Sequence, residues 1–326
     1  MSFNSASSAN GQGHLTPRFS WRGALGTANL ALGKIHQGMR GLATPLLLIV
    51  AFAAIATFVS SFAMGSESPN VQRQITWEGK EQNSKVFVIL THVKDERTAS
   101  LWKKAHDSIR TFYPTDPIVL IDDNSPVPLS IEGLKNVTLI RSDYPGAGEL
   151  LPYHYFLKYQ WADRMIFMHD SMYLVRPFTE QELAPLVKFH WHFSDHTWDA
   201  ETPIEELLEK LKNGDELTRF KQNEQWDGCF GVASLIHITV LKDLAKHYGF
   251  PNRLKKIVNT RTQRMALERV FGILLAKEGY FRAQESSNFG VIHSFPFAFH
   301  TNVSEQDLEL IPSYYPGAII KTWHGR

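Results

Sequence analysis

The chain holds a single cysteine, Cys229, so no intrachain disulfide can form. One usual sign of secretion is therefore missing. Acidic residues are absent from residues 1–65, which carry Arg18, Arg22, Lys34 and Arg40 among many Ser, Gly and Ala. No low-complexity run follows that segment and no internal repeat is visible, which argues against a repeat architecture. A strong charge of either sign is lacking too. With those four cations set aside, the part after residue 65 has 30 Lys and Arg against 33 Asp and Glu, a net charge of −3. That balance gives no global reason to expect nucleic acid as a partner.

What the N-terminus does have is an uncharged, mostly apolar run from Leu46 to Met64. A helix of that length spans roughly the hydrocarbon core of a bilayer, at about 1.5 Å per residue. It is alanine-rich and interrupted by Thr57, Ser60 and Ser61, so it is a marginal span. Positive charge precedes it, and the first acid after it is Glu67. The positive-inside rule then places the tail in the cytosol and the rest across the membrane. The tail is long for a cleaved signal peptide, which favours a retained anchor. This divides the chain into a basic tail at 1–45, an anchor at 46–64, a stem at 65–84 and a large domain at 85–326. A short span suits the thinner membranes of the early secretory pathway. An acid-free, Ser- and Arg-containing leader also fits an organellar transit peptide, cleaved after import. Two Asn-X-Ser/Thr triplets, at Asn136 and Asn302, support the luminal reading weakly.

The large domain opens on short β-rich runs that stop at carboxylates. Ile118–Ile121 leads into Asp122-Asp123, and Met165–Met168 leads into His169-Asp170-Ser171. Such runs read as buried parallel strands. Ligands of open α/β sheets bind just beyond the carboxyl ends of these strands. Two acidic strand ends in one domain fit one polar, phosphorylated ligand. Either alone also fits a loop aspartate capping the helix that follows.

Periodicity places a strand at 86–90, a helix over 97–112, strands at 118–121 and 137–140, a helix over 149–162 and a strand at 165–168. This β-α-β-β-α-β order predicts a mostly parallel sheet flanked by helices. Further on, 187–193 alternates like a strand, 203–220 reads as one charged amphipathic helix, and 226–231 as a tight glycine-bearing turn. Helices follow over 240–247 and 263–278.

In layout this chain resembles the GT-A fold glycosyltransferases, over roughly residues 85–295. The resemblance implies a GT-A-like α/β domain behind a single transmembrane helix, as in type II Golgi or ER membrane enzymes. It implies a sugar moved from a nucleotide-sugar donor to a glycan or glycoprotein acceptor. Thr91 and Asp122-Asp123 fall where that family holds the nucleotide. His169-Asp170-Ser171 falls where an Asp-X-Asp motif binds a divalent metal, and only Asp170 is a conventional hard ligand. Asp227-Gly228-Cys229-Phe230-Gly231 matches the acceptor loop, and Glu268 the acidic residue of the following helix. His293 best matches a late metal-ligating histidine, with His300 and His324 behind it. The implied cofactor is Mn²⁺ or Mg²⁺, held by Asp170 and His293. In a metal-independent enzyme, Arg282 or Lys321 would balance the diphosphate instead.

Transfer requires a held nucleotide, a stabilised leaving group and a base for the acceptor hydroxyl. Glu268 is the first candidate base and Asp227 the second, and a single displacement with inversion follows from either. Glu268 could instead pair with Arg264 or Lys277 as a structural residue, and Asp227 could simply form the turn before Gly228. His190, His192 and His196 include an H-X-H pair without a completing ligand pattern, so acceptor-groove or surface chemistry fits them better than zinc. Trp191, Trp198 and Trp226 suit either sugar stacking or the core. Cys229 has no visible partner that would make it a nucleophile. Two other classes stay open: a nucleotidyltransferase of similar fold, and an anchored sugar- or nucleotide-binding module without turnover.

Overall fold

Five consecutive apolar residues, Val86–Leu90, form the middle of strand β1 (Lys85–Thr91), and none is more than 8% exposed. A strand buried on both faces belongs inside a parallel sheet. The computed structural model describes residues 84–194, 196, 201–280, 287–292 and 317–322. The expected tail and anchor lie outside those residues, as does nearly all of the expected stem. Among the described residues no helix is long and apolar enough to cross a membrane.

Helix α1 (Glu96–Phe112) follows β1, started by a capping box between Asp95 and Thr98. Then come β2 (Ile118–Asp122), β3 (Val137–Arg141), α2 (Leu151–Tyr159) and β4 (Arg164–His169). The β-α-β-β-α-β order read from periodicity is therefore the order of the elements. Next are β5 (Met172–Leu174), the short α3 (Glu180–Leu183), β6 (Val187–Phe189) and β7 (His192–Phe193). Helices α4 (Glu201–Lys210) and α5 (Gly214–Lys221) precede β8 (Gly228–Cys229), a single 3₁₀ turn over Phe230–Val232, and β9 (Ser234–His237). Helices α6 (Ile238–Tyr248) and α7 (Arg261–Lys277) and strand β10 (Ile319–Lys321) complete the set.

One six-stranded sheet organises the domain, in the order β3-β2-β1-β4-β9-β6. Strands β3, β2, β1 and β4 are parallel, and β9 runs antiparallel to both β4 and β6. Alternate residues feed two cores, as the period of two requires. Val86, Val88, Val119, Ile121, Met165 and Phe167 face residues of α2, α4, α6 and α7. Phe87, Ile89, Ile118, Leu120, Ile166 and Met168 face Trp102, Ala105 and Ile109 of α1 and the β5–β10 ribbon. This is a mostly parallel α/β sheet flanked by helices.

Two expectations need correction. The stretch 187–193 is not one strand. Its first part pairs with β9 (Phe189↔Ser234), and its last part joins β8 in a separate ribbon (His192↔Cys229). Nor is 203–220 one helix. Asn213 takes a left-handed conformation (φ 60°), and a Cβ on Gly214 would lie 2.6 Å from the Leu208 carbonyl oxygen. Only a residue without a side chain lets the chain turn back so tightly.

Candidate active site at the ends of β1 and β4

The strand order reverses at β1. Strands β2 and β3 step away on one side, and β4 returns to the other. Such a switch point opens a crevice beyond the carboxyl ends of the two strands that flank it. At this crevice the Thr91 hydroxyl donates to Asp170 Oδ2 at 2.8 Å, and the Asp170 amide donates to the Leu90 carbonyl at 3.0 Å. Both side chains are buried. Thr91 and Asp170, read separately from sequence, are thus in direct contact.

Asp122 and Asp123 lie one strand further out and bind the protein's own backbone. Asp122 Oδ1 accepts from the Ser125 amide at 2.8 Å, and the Ser125 hydroxyl accepts from the Val93 amide at 2.7 Å. Asp123 accepts from the amides of Gly146 (2.7 Å) and Gly148 (3.1 Å), one with each oxygen. Burial pushes the Asp123 carboxyl above its ordinary range, and the two amides pull it back. Asp123 thus holds the first amide of the 3₁₀ turn Gly148–Leu150, while Asp122 closes a turn within its own loop. Together they fix the loops after β2 and β3 that wall the crevice.

The opposite wall is the segment 227–232. Gly231 has φ 60°, a conformation that suits glycine. Its amide donates to Glu268 Oε1 at 2.8 Å, and its carbonyl accepts from His169 Nε2 at 2.7 Å. One residue therefore ties the end of β4 to helix α7. The helix approaches closely because residue 272 is glycine. A Cβ there would sit 2.0 Å from the Asp227 carbonyl oxygen.

Glu268 is not paired with Arg264 or Lys277. Arg264 lies 3.4 Å from Glu149 and donates to the Gly146 carbonyl, and Lys277 pairs with Glu216. The cation on Glu268 is its neighbour Arg269, at 2.7 Å from Oε2. Burial nevertheless pushes the Glu268 pKa up to about 7, partly offset by Arg269, the Gly231 amide and Lys321, with Glu149 adding repulsion. A carboxylate with that value exchanges a proton near neutral pH, as a general base must. Asp227 is buried beneath α7, and its charge favours protonation of His192, although burial of that imidazole lowers its pKa overall.

Sequence reasoning missed two members of this cluster, Glu149 and Arg269. Among the described residues Glu149 Oε2 finds no hydrogen-bond partner, and burial raises its pKa. Nothing in the local pattern singles out a glutamate in a one-turn 3₁₀ helix, and Arg269 looks like any helical cation. Lys321, named only as a spare counter-charge, is 8% exposed, with Nζ 3.4 Å from Ser171 Oγ and 5.8 Å from the Phe230 ring centre.

Other candidates scatter. His293, Arg282, His300, His324, Trp198 and Asn302 fall outside the described residues. Trp191 and Trp226 are buried in the core. His190 is fully buried, with its pKa lowered to about 4 by burial, and donates to the Phe167 carbonyl. His192 bonds Ser287, and His196 packs on Trp226. The Cys229 thiol is buried and pushed well above its ordinary range, which removes the thiolate a nucleophile needs.

Of the two expected metal ligands only Asp170 lies among the described residues. Among them no three His, Cys, Asp or Glu side chains converge. Asp170 Oδ2 accepts from Thr91, and the Lys321 ammonium stands beside Ser171. Hard cations take several oxygen ligands and are repelled by fixed positive charge.

No family model and no curated protein sequence matches the chain. Among solved structures, S. aureus TarS 1–349 in complex with UDP is 11% identical, covering 56% of this chain and 54% of that one, with a TM-score of 0.34. The same protein with UDP-GlcNAc is 11% identical over 58% and 54%, with a TM-score of 0.33. The chain thus spans just over half the length of these structures, and the likeness is distant.

Proposed function

We propose that the chain is a glycosyltransferase that moves a sugar from a nucleotide-sugar donor to a glycan or glycoprotein hydroxyl. The observation that carries this reading is the pairing of a switch-point crevice at Thr91 and Asp170 with a carboxylate, Glu268, set near neutral pKa. The nucleotide would lie over the β1 and β2 ends, between the loops held by Asp122 and Asp123. The donor sugar would reach toward Gly231 and Glu268. Glu268 would accept the acceptor proton as the hydroxyl oxygen attacks the anomeric carbon from the face opposite the leaving diphosphate. The outcome is a single displacement with inversion. Asp227 is the reserve base, but its burial under α7 leaves it less able to meet an acceptor.

In this reading the run Leu46–Met64 anchors a type II protein with its catalytic domain in the Golgi or ER lumen. Import into an organelle followed by leader cleavage is the alternative placement. A binding module without turnover is the second functional reading, favoured by the Arg269 guanidinium that already occupies Glu268 Oε2. The test is to incubate the full-length chain, purified in mild detergent, with a panel of UDP- and GDP-sugars, with and without Mn²⁺. Hydrolysis or transfer from one donor, lost in Asp170→Ala, supports the transferase. Donor-induced thermal stabilisation without turnover identifies the binding module. No response to any donor from a folded protein rejects both.

A further inference from the structure

We propose that the acceptor is an anionic glycan, held by a basic, tyrosine-bearing surface that runs from α2 along residues 253–264 to the candidate base, an inference that rests on the glycosyl-transfer reading above. The part of the chain after residue 65 has 30 Lys and Arg against 33 Asp and Glu. Yet from Leu244 to Leu267 there is no acidic residue, and Lys246, Arg253, Lys255, Lys256, Arg261 and Arg264 all fall there. Arg253, Lys256 and Arg261 are exposed, as is Lys158 of α2. Among the described residues these four and Lys255 form no ion pair. Charge of one sign left unpaired on one surface draws in charge of the other.

These cations border the crevice. The loop over 143–148, whose amides Asp123 holds, packs directly on the basic segment. Lys255 Nζ lies 4.9 Å from the ring centre of Tyr144, and a Cβ on Gly146 would lie 2.8 Å from the Asn259 carbonyl oxygen. Tyr144 in turn stands edge-on to His154 of α2 at 5.2 Å, and Lys158 lies 4.9 Å from the ring centre of Tyr159. His154 registers the shared charge. Burial first, then Lys255 and Lys158, lower its pKa to about 4, against the Asn252 hydrogen bond and Asp143. Tyrosine rings suit the faces of sugars, and neighbouring ammonium and guanidinium groups suit charged substituents. Arg261 opens α7, and Glu268 follows on the same helix face two turns later, about 10 Å along the axis.

Position along α7 assigns the surface to the acceptor. In a single displacement the diphosphate leaves from the face opposite the base, so cations on the base's own helix stand on the incoming side. The acceptor oxygen bonds to the anomeric carbon, and its proton passes to Glu268. The bond from that carbon to the diphosphate breaks, with its electron pair kept by the diphosphate. The anionic groups of the glycan take no part in these bonds. They hold the chain in register so that one hydroxyl meets Glu268, which is how binding energy away from the reacting atoms speeds a reaction.

The experiment measures binding of dextran sulfate, carboxymethyl dextran, dextran phosphate and unmodified dextran to the full-length chain by calorimetry. The four share a backbone and differ in the anion, so the tightest identifies the charged group. Wild type is expected to bind a charged dextran and not the neutral one. Lys256→Glu/Arg261→Glu is expected to lose about tenfold or more of that affinity, as loss of charge-assisted contacts does. Neither side chain has a hydrogen bond or ion pair among the described residues, so this variant is expected to melt with wild type. Arg97→Glu/Lys103→Glu makes the same change of net charge on α1, against the opposite face of the sheet, and is expected to stay within about threefold. Equal losses in the two variants, or none in the first, overturn the surface. A loss that falls on UDP or GDP overturns it by assigning the cations to the donor, and a loss that falls on phosphatidylserine vesicles by assigning them to a membrane. A wild type that binds a nucleotide sugar but no charged dextran sinks this inference alone. One that binds charged dextran but no nucleotide or nucleotide sugar sinks the transferase reading, and the role of acceptor with it.

Discussion

Glu268→Gln isolates the proton-linked energy stored at the site. In the folded chain the Glu268 pKa is about 7, against an ordinary value of 4.5. Between those values the folded protein keeps a proton that the unfolded chain has released. Stability contributed by this group is full below about pH 4.5, declines as pH rises through about 7, and is flat above it. The interval corresponds to roughly 3 kcal/mol, taken as an upper bound. Glutamine cannot ionise, so the variant lacks this slope. It keeps an acceptor for the Gly231 amide, and at low pH the wild-type carboxyl is neutral as well. Asp123 and Glu149 are also pushed up by burial and tilt the wild-type curve in the same direction. For that reason the informative quantity is the difference between variant and wild type. Urea unfolding at pH 5 and pH 8 should show the variant gaining about 2–3 kcal/mol relative to wild type at the higher pH. If the difference is the same at both, Glu268 titrates in its ordinary range and the argument for it as a base at neutral pH collapses. In an active preparation the same variant should lose about 10²–10⁴ in kcat, the usual contribution of a general base.

Asp123→Ala leaves the amides of Gly146 and Gly148 without their acceptor and should destabilise the domain by about 2–4 kcal/mol in urea unfolding, whereas Asp123→Asn should cost less because one oxygen remains. Equal stability of Asp123→Ala and wild type would mean that the loop after β3 is held by other contacts. Gly272→Ala puts a methyl carbon 2.0 Å from the Asp227 carbonyl oxygen and should lower stability by about 3 kcal/mol or more, read as a fall in Tm of the purified chain. A wild-type Tm would show that α7 can slide away from the 227–232 segment at little cost.

The first half of the domain was legible because its strands are short, continuous apolar runs with nothing else they could be. Val86–Leu90 and Ile118–Ile121 are buried on both faces, and their ends at Thr91 and Asp122 match the observed limits to within one or two residues. The second half was legible in helices and poorly so in strands. Alternation over 187–193 was real, but the chain changes sheets at His190 and Trp191, and periodicity carries no information about partners. The sequence Ser234-Leu235-Ile236-His237 is too short to announce that it fills the gap between β4 and β6. Strand-end position singled out Asp170, and the family resemblance Thr91, but neither said that the two side chains would meet. Asp122 and Asp123 look like ligand-binding carboxylates in one dimension. In three, they also accept backbone amides, Asp122 from Ser125 and Asp123 from Gly146 and Gly148.

The peptide at Gly231 gives the site its logic. Its carbonyl is fixed by His169, so its position is set by the end of β4, the strand whose next residue is Asp170. Its amide is fixed on Glu268, so the candidate base takes its position from the same strand end through two hydrogen bonds. The side chain at 231 must be absent, because a Cβ would lie 2.8 Å from His169 Nε2. The histidine at position 169 therefore has a structural reason. An aspartate there would be too short to reach the Gly231 carbonyl, and its charge would repel that oxygen. That histidine couples the end of β4 to the Glu268 carboxylate through the backbone of Gly231.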